Sequence, residues 1–262
     1  MSHISFSELK AWATCAYYHK LLYIDRKGLF KGNEYTAFGK ALHDVAEHSA
    51  NCLKDNKDSG DLPLLFKTNF LDQLLSLKEK DVELNKDLIQ SMKDQGAFIA
   101  DKIIPALEDY FEDYEIISAE YKLFEPIEEY SNKVYSFKGF IDLVVKTADG
   151  KHHIIDWKTC SWGWDARKRS DPLLTYQLTL YKKYYSQKFD LDPRSVETHF
   201  ALLKRTAKKE HVEFFRVTSG PKKTQNAFNL MKKALYNIDK KLYVKNRTAC
   251  SNCEFYKTEH CT

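Results

Sequence analysis

Asp156 and Lys158 lie two positions apart at the end of an apolar run, "HHIIDWKTC", residues 152 to 160. Alternate residues of a strand point the same way, so both would share one face, with Trp157 on the other. A second acid, Asp142, interrupts another strand-like run, "GFIDLVV". The two runs flank "TADGK", where Asp149-Gly150 is a strong hairpin signal. A two-residue loop would set Asp142 against Trp157. A three-residue loop, Ala148-Asp149-Gly150 with Gly150 left-handed, would pair Thr147 with Lys151 and bring Asp142 across from Asp156. The second register puts two carboxylates and Lys158 on one surface. Carboxylates at that spacing repel each other, and a divalent cation removes the repulsion. Oxygen ligands with room left for water suit Mg²⁺ or Mn²⁺. Such an ion activates water and holds a phosphate, while a lysine offsets developing charge. The ordinary alternative is a surface ion pair.

Helices and strands must position these groups. "SFSELKAWATCAYYHKLLY" reads as a helix capped by Ser5 or Ser7, and "TAFGKALHDVAEHSANCLK" as a second. Residues 63 to 113 read as helical throughout, with a break at Pro105. The period then changes. "YEIISAEYKLF", "SFKGFIDLVVKT" and "HHIIDWKT" read as strands. Pro172 opens a helix, "VETHFALLKRT" and "HVEFFRVTS" read as two more strands, and residues 222 to 243 form a long amphipathic helix. "GNEYTAFGKA" is no phosphate loop, because its glycines are too far apart and Ala41 replaces the needed hydroxyl.

"GFIDLVV", "IIDWKT" and "QLTLY" together resemble the PD-(D/E)XK nucleases, and within them the RecB-type nuclease domains. The resemblance spans Cys15 to Cys261 and implies an α/β fold. Its core would be restriction-endonuclease-like, a mixed sheet flanked by helices, with a helical N-terminal insertion and a cysteine-rich C-terminal tail. It implies that Asp142 and Asp156 bind the metal and that Lys158 is the catalytic lysine. Gln177 and Tyr181 match the helix motif, and their spacing puts both on one helical face. "FGKALHDVAEH" makes His43 a candidate metal ligand, and "ISAEYKLF" does the same for Glu120.

Cys250 and Cys253 form a C-x-x-C pair, with Cys261 close behind. Three thiolates need a fourth ligand, and Cys15 is the best candidate. The resemblance implies a [4Fe-4S] cluster of the kind found in iron–sulfur RecB-type nucleases, including CRISPR-associated exonucleases. A structural Zn²⁺ is the alternative, since both accept four thiolates. The gap before Cys261 is wide for that pattern, and His260 is its neighbour. Cys52 and Cys160 read as ordinary thiols.

After Lys158 the chain runs "TCSWGWDARKRSD". Trp162 and Trp164 with Arg167, Lys168 and Arg169 suit single-stranded nucleic acid, through base stacking and phosphate contacts. Residues 202 to 211 form a second basic loop.

The chain has 262 residues, 43% hydrophobic and 30% charged, with a net charge of +4. That balance is ordinary for a globular protein and does not by itself demand a nucleic-acid partner. The absence of a signal pattern or a bilayer-spanning run leads to an expectation of a soluble, cytoplasmic protein. The expected organisation is one domain over residues 1–262, its ends joined by the cluster. The expected function is that of a metal-dependent DNA exonuclease. It would act on single-stranded or end-frayed DNA in recombination, repair or replication, beside a helicase or other recombination protein. The alternatives are an endonuclease on the same fold, a catalytically inactive iron–sulfur DNA-binding subunit and a zinc-stabilised interaction module.

Overall fold

In the computed structural model, which describes residues 2–127, 130 and 135–262, one six-stranded mixed sheet divides two helical layers. Strand β1 (Ser2–Ser5) leads into α1 (Phe6–Thr14), which Ser5 caps by accepting from the Glu8 N–H at 3.2 Å. The expected first helix is interrupted at Cys15, whose backbone is extended. It resumes as α2 (Ala16–His19) and a π-helical turn, Lys20–Ile24. The long helix α3 (Glu34–Lys54) starts at an Asn33–Thr36 capping box.

The stretch expected to be continuously helical is three helices: α4 (Leu62–Glu79), α5 (Lys86–Ala100) and α6 (Ile103–Tyr110). Pro105 does not break the run. It sits in the first turn of α6, where a missing N–H costs nothing, and the break falls before it at Asp101 and Lys102.

The remaining strands are β2 (Tyr114–Pro126), β3 (Tyr135–Thr147), β4 (His152–Cys160), β5 (Val196–Lys204) and β6 (Val212–Arg216). A short helix, α7 (Ala166–Ser170), precedes α8 (Pro172–Phe189), and α9 (Pro221–Asp239) follows the last strand. Along the sheet the order is β1-β3-β4-β5-β6, with β2 on the other edge of β3. β1 was not expected from sequence; four residues are too few to show a period.

Each face of the sheet carries its own core. Leu143, Val145, Ile155 and Trp157 pack with α3 to α6, including Phe38, Phe66 and Phe70. Ile141, Val144, Ile154 and Phe200 pack with α1, α8 and α9. β1 and β4 share one edge of β3, pairing with residues 135–138 and 143–146. Residues 139–142 lie between them.

Candidate active site

The β3–β4 hairpin takes the three-residue register. Lys146 pairs with His152 and Leu143 with Ile155; the Thr147 N–H donates to the Lys151 carbonyl at 3.0 Å. Gly150 is left-handed at φ 80°, a conformation that the turn needs and glycine adopts without strain. One step past the last pair, Asp142 comes opposite Asp156. There the backbone ladder stops, and the Trp157 N–H donates instead to Asp142 Oδ2 at 2.8 Å. Asp156 is buried, with Lys158 Nζ 2.5 Å from its Oδ2 as an ion contact. Trp157 packs in the α3–α6 core, on the other side of β4 from Asp156 and Lys158, as the alternation requires.

Helix α3 brings in His43. Phe38, Leu42 and Val45 bury its inner face, leaving His43 Nδ1 3.7 Å from Asp142 Oδ2. Asp44 and Glu47 share that edge of the helix. With His43, Glu120, Asp142 and Trp157 they line a cavity of about 380 Å³. Glu120 is left-handed at φ 48°, an uncommon state for a residue with a side chain.

The electrostatics follow from burial and like charge. Burial pushes the Asp142 carboxyl well above the usual range; Asp156 raises it further, and Lys158 and the Trp157 N–H oppose the rise. Burial raises Asp44, against the pull of Lys40 and with help from Glu120. It raises Glu47 too, with Glu120 and Asp44 adding. Burial lowers His43, opposed by Asp156, which favours the neutral, ligand-competent ring. For Lys158, burial favours the neutral amine, but Asp156 and Asp142 outweigh it and the net shift is upward. A divalent cation fits this set. Asp142 and Asp156 offer carboxylate oxygens, Asp142 is destabilised by its neighbour's like charge, and His43 offers a nitrogen beside it.

Gln177 and Tyr181 do meet on α8: Gln177 Nε2 donates to the Tyr181 hydroxyl at 3.1 Å. The ring fits because residue 139 is glycine; a Cβ there would lie 2.5 Å from Tyr181 Cε1. Burial raises the Tyr181 pKa, Asp156 adds to it, and the phenol stays protonated.

The tryptophan loop divides. Trp162 is 78% exposed, but Trp164 is buried, packed edge-on against Phe200 at 5.1 Å. The expectation that both rings offer stacking faces is therefore corrected: Trp164 belongs to the core beneath β5. Arg167 and Lys168 are exposed on α7, although Lys168 Nζ also stands 4.9 Å from the Trp164 ring centre. Arg169 is braced by the Glu213 carboxylate at 2.5 Å and the Trp164 carbonyl at 2.8 Å.

Cys15, Cys250, Cys253 and Cys261 line one cavity of about 350 Å³, while Cys52 and Cys160 lie elsewhere. The chain ends meet there. The Asn246 N–H donates to Cys15 Sγ at 3.2 Å, and Tyr17 N–H to the Val244 carbonyl at 3.3 Å. Glu254 accepts from Leu29 and Phe30 N–H at 2.8 and 2.7 Å.

Sequence reasoning missed Asp44 and Glu47, although they share the helix edge of His43. It also missed a group on the sheet, His153, Glu197 and His199. Its only trace in the sequence is a histidine at the head of "HIIDWKT" and the Glu-x-His of "VETHF".

Hairpin, carboxylates, lysine and the α8 pair define a nuclease core of the restriction-endonuclease-like type. The model of the PD-(D/E)XK nuclease superfamily matches residues 3–258, and the chain belongs to that superfamily. Nucleases of this superfamily use divalent metals. Among solved structures, a "putative exonuclease" from Eubacterium rectale is similar to 97% of this chain and 86% of its own, at 12% identity and a TM-score of 0.56. At that identity the likeness concerns the fold alone. SSO0001 aligns over 74% of this chain and 79% of its own, at 16% identity and a TM-score of 0.38, too low to carry an argument. No curated protein matches the sequence. Among the described residues, no helix is long and apolar enough to cross a membrane.

Proposed function

We propose that this nuclease is a Mg²⁺- or Mn²⁺-dependent deoxyribonuclease that degrades single-stranded or end-frayed DNA from its ends. The reading rests on the pairing of Asp142 with Asp156 at the end of the hairpin, with Lys158 against one acid and His43 beside the other. In it, Asp142, Asp156 and His43 hold the ion, and Glu120 faces the same cavity. When bound, the ion supplies an activated water and polarises the scissile phosphate. Lys158 stays charged and opposes the negative charge that gathers on the phosphoryl oxygens. Gln177 donates to the Tyr181 oxygen, which leaves the phenol proton free for substrate or for orienting the site.

The exposed Trp162 follows β4 directly and suits stacking on an unpaired base, with Arg167 and Lys168 placed for phosphates. The proposal gives Trp164 and Arg169 the task of bracing that loop. It also gives the four cysteines a [4Fe-4S] cluster that joins the ends of one domain. Their common cavity supports this. A reducing, cytoplasmic setting would suit cluster thiolates and the thiols of Cys52 and Cys160. There the enzyme would serve recombination, repair or replication beside a helicase.

The test is cleavage of end-labelled linear and closed circular DNA, with Mg²⁺ or Mn²⁺, by anaerobically purified protein. Loss of linear single strands with circles left intact supports the proposal. Cutting of circles supports an endonuclease, and no cleavage by cluster-loaded protein supports an inactive DNA-binding subunit.

A further inference from the structure

We propose that His153, Glu197 and His199 form a second metal site, separate from the carboxylate centre, that takes a divalent transition-metal ion such as Zn²⁺. Parallel pairing of β4 with β5 sets His153 beside Glu197 and Ile155 beside His199. All three side chains therefore point to the face covered by α6. His153 Nδ1 and His199 Nε2 are 3.1 Å apart, and His153 Nδ1 is 4.0 Å from Glu197 Oε2. One donor atom from each residue falls within 4.8 Å of the other two. Tetrahedral ligation at zinc–nitrogen distances of about 2.0–2.1 Å would place nitrogens about 3.4 Å apart, so a small adjustment admits an ion.

The surroundings already have the form of an outer shell. The remote nitrogen of His153 meets the Thr147 hydroxyl at 2.9 Å, and that of His199 meets the Tyr110 hydroxyl at 3.1 Å. Such partners fix ring orientation and leave the inner nitrogens facing the site. Arg216 holds Glu197 Oε1 at 3.2 Å, and Lys151 lies 4.0 Å from the same atom. That leaves Oε2 as the oxygen directed at His153. The Phe111 ring stands 4.8 Å from that of His153 and 5.5 Å from that of His199. Both histidines are buried, which favours the neutral rings that ligate metals. Arg216 and Lys151 oppose a cation, so binding should be weaker than at an all-thiolate site.

His153 precedes Asp156 by three residues, about 10 Å along the strand. An ion here would pin β4 to β5 beneath the catalytic hairpin, a structural role that no step of hydrolysis requires.

The experiment titrates Co²⁺, and then Zn²⁺, into cluster-loaded full-length protein carrying Asp142→Asn and Asp156→Asn, which removes the competing carboxylate centre. One equivalent should bind, with the weak visible bands of nitrogen and oxygen ligation. Saturating Zn²⁺ should raise the melting temperature. Adding His153→Gln and His199→Gln should abolish both signals. Glu197→Gln, which keeps the shape of the side chain, should weaken binding at least tenfold and decides the matter if the histidine variant does not fold. No binding to the parent, or equal binding to parent and Glu197→Gln protein, overturns the proposal.

Discussion

Glu120 stands opposite Asp142 where β2 and β3 both exchange faces. The flanking pairs are Ala119 with Leu143 and Tyr121 with Ile141. Ala119 and Leu143 pack toward α3, but Tyr121 and Ile141 pack toward α8. Two residues of a regular strand share a face, so each strand slips by one position here. Glu120 absorbs its slip in the left-handed region. The switch turns Asp142 out of the sheet's alternation and into the cavity beside His43.

Relief of that backbone strain should be measurable. Glu120→Gly should be more stable than Glu120→Ala by about 1 kcal/mol, because only glycine adopts this conformation freely. Both variants remove the carboxylate, so thermal melting isolates the backbone contribution. Equal melting temperatures would show that the left-handed turn carries no strain.

Asp142→Ala, Asp156→Ala and Lys158→Ala should each slow metal-dependent cleavage by at least about a hundredfold, the scale of losing one electrostatic partner of a transition state. DNA binding should largely survive. A Lys158→Ala enzyme that cleaves like the parent would overturn the site.

The acid pair should also leave a mark on stability without metal. The folded-state pKa of Asp142 is raised, so the folded protein holds a proton that the unfolded chain releases. Its contribution is most favourable below the ordinary aspartate pKa and is lost as pH rises toward the raised value. In chelator, Asp142→Asn should remove this decline and melt higher than the parent at neutral pH. Saturating Mg²⁺ or Mn²⁺ should raise the melting temperature of the parent only. Parallel pH–stability curves for the two proteins in chelator would count against the coupled pair.

Each of Cys15→Ala, Cys250→Ala, Cys253→Ala and Cys261→Ala should bleach the visible absorbance of thiolate-bound iron and lower stability, since the site joins distant parts of the chain. Cys52→Ala and Cys160→Ala should leave the spectrum intact. Metal analysis returning zinc without iron would replace the cluster by a zinc site with the same ligands.

The two tryptophans should separate cleanly. Trp164→Ala removes a buried ring and should cost about 3–5 kcal/mol of stability. Trp162→Ala should leave melting unchanged and weaken single-strand binding by about 1–3 kcal/mol, one lost stack. Unaltered affinity of the Trp162 variant would move the DNA path elsewhere.

What the sequence determined by itself was local. Asp149-Gly150 marks the turn, and of the two registers it allows, the one that gathers Asp142, Asp156 and Lys158 is the one the structure takes. A four-residue spacing is enough to join Gln177 to Tyr181 on one helix. Short-range geometry repeats wherever such residues occur, so it can be read without the fold. Tertiary structure decided the rest. Only packing of α3 against the sheet brings His43 to Asp142. Alternation along β2 and β3 predicts no slip at Glu120, which appears only when two cores compete for the same strands. Trp162 and Trp164 are alike in sequence, and packing that includes the rings of Phe200 and Phe215 makes the second of them core. Cys15 and Cys250, or His153 and His199, become neighbours through parallel strands and joined chain ends, and contacts between such distant positions leave no period in the sequence to detect.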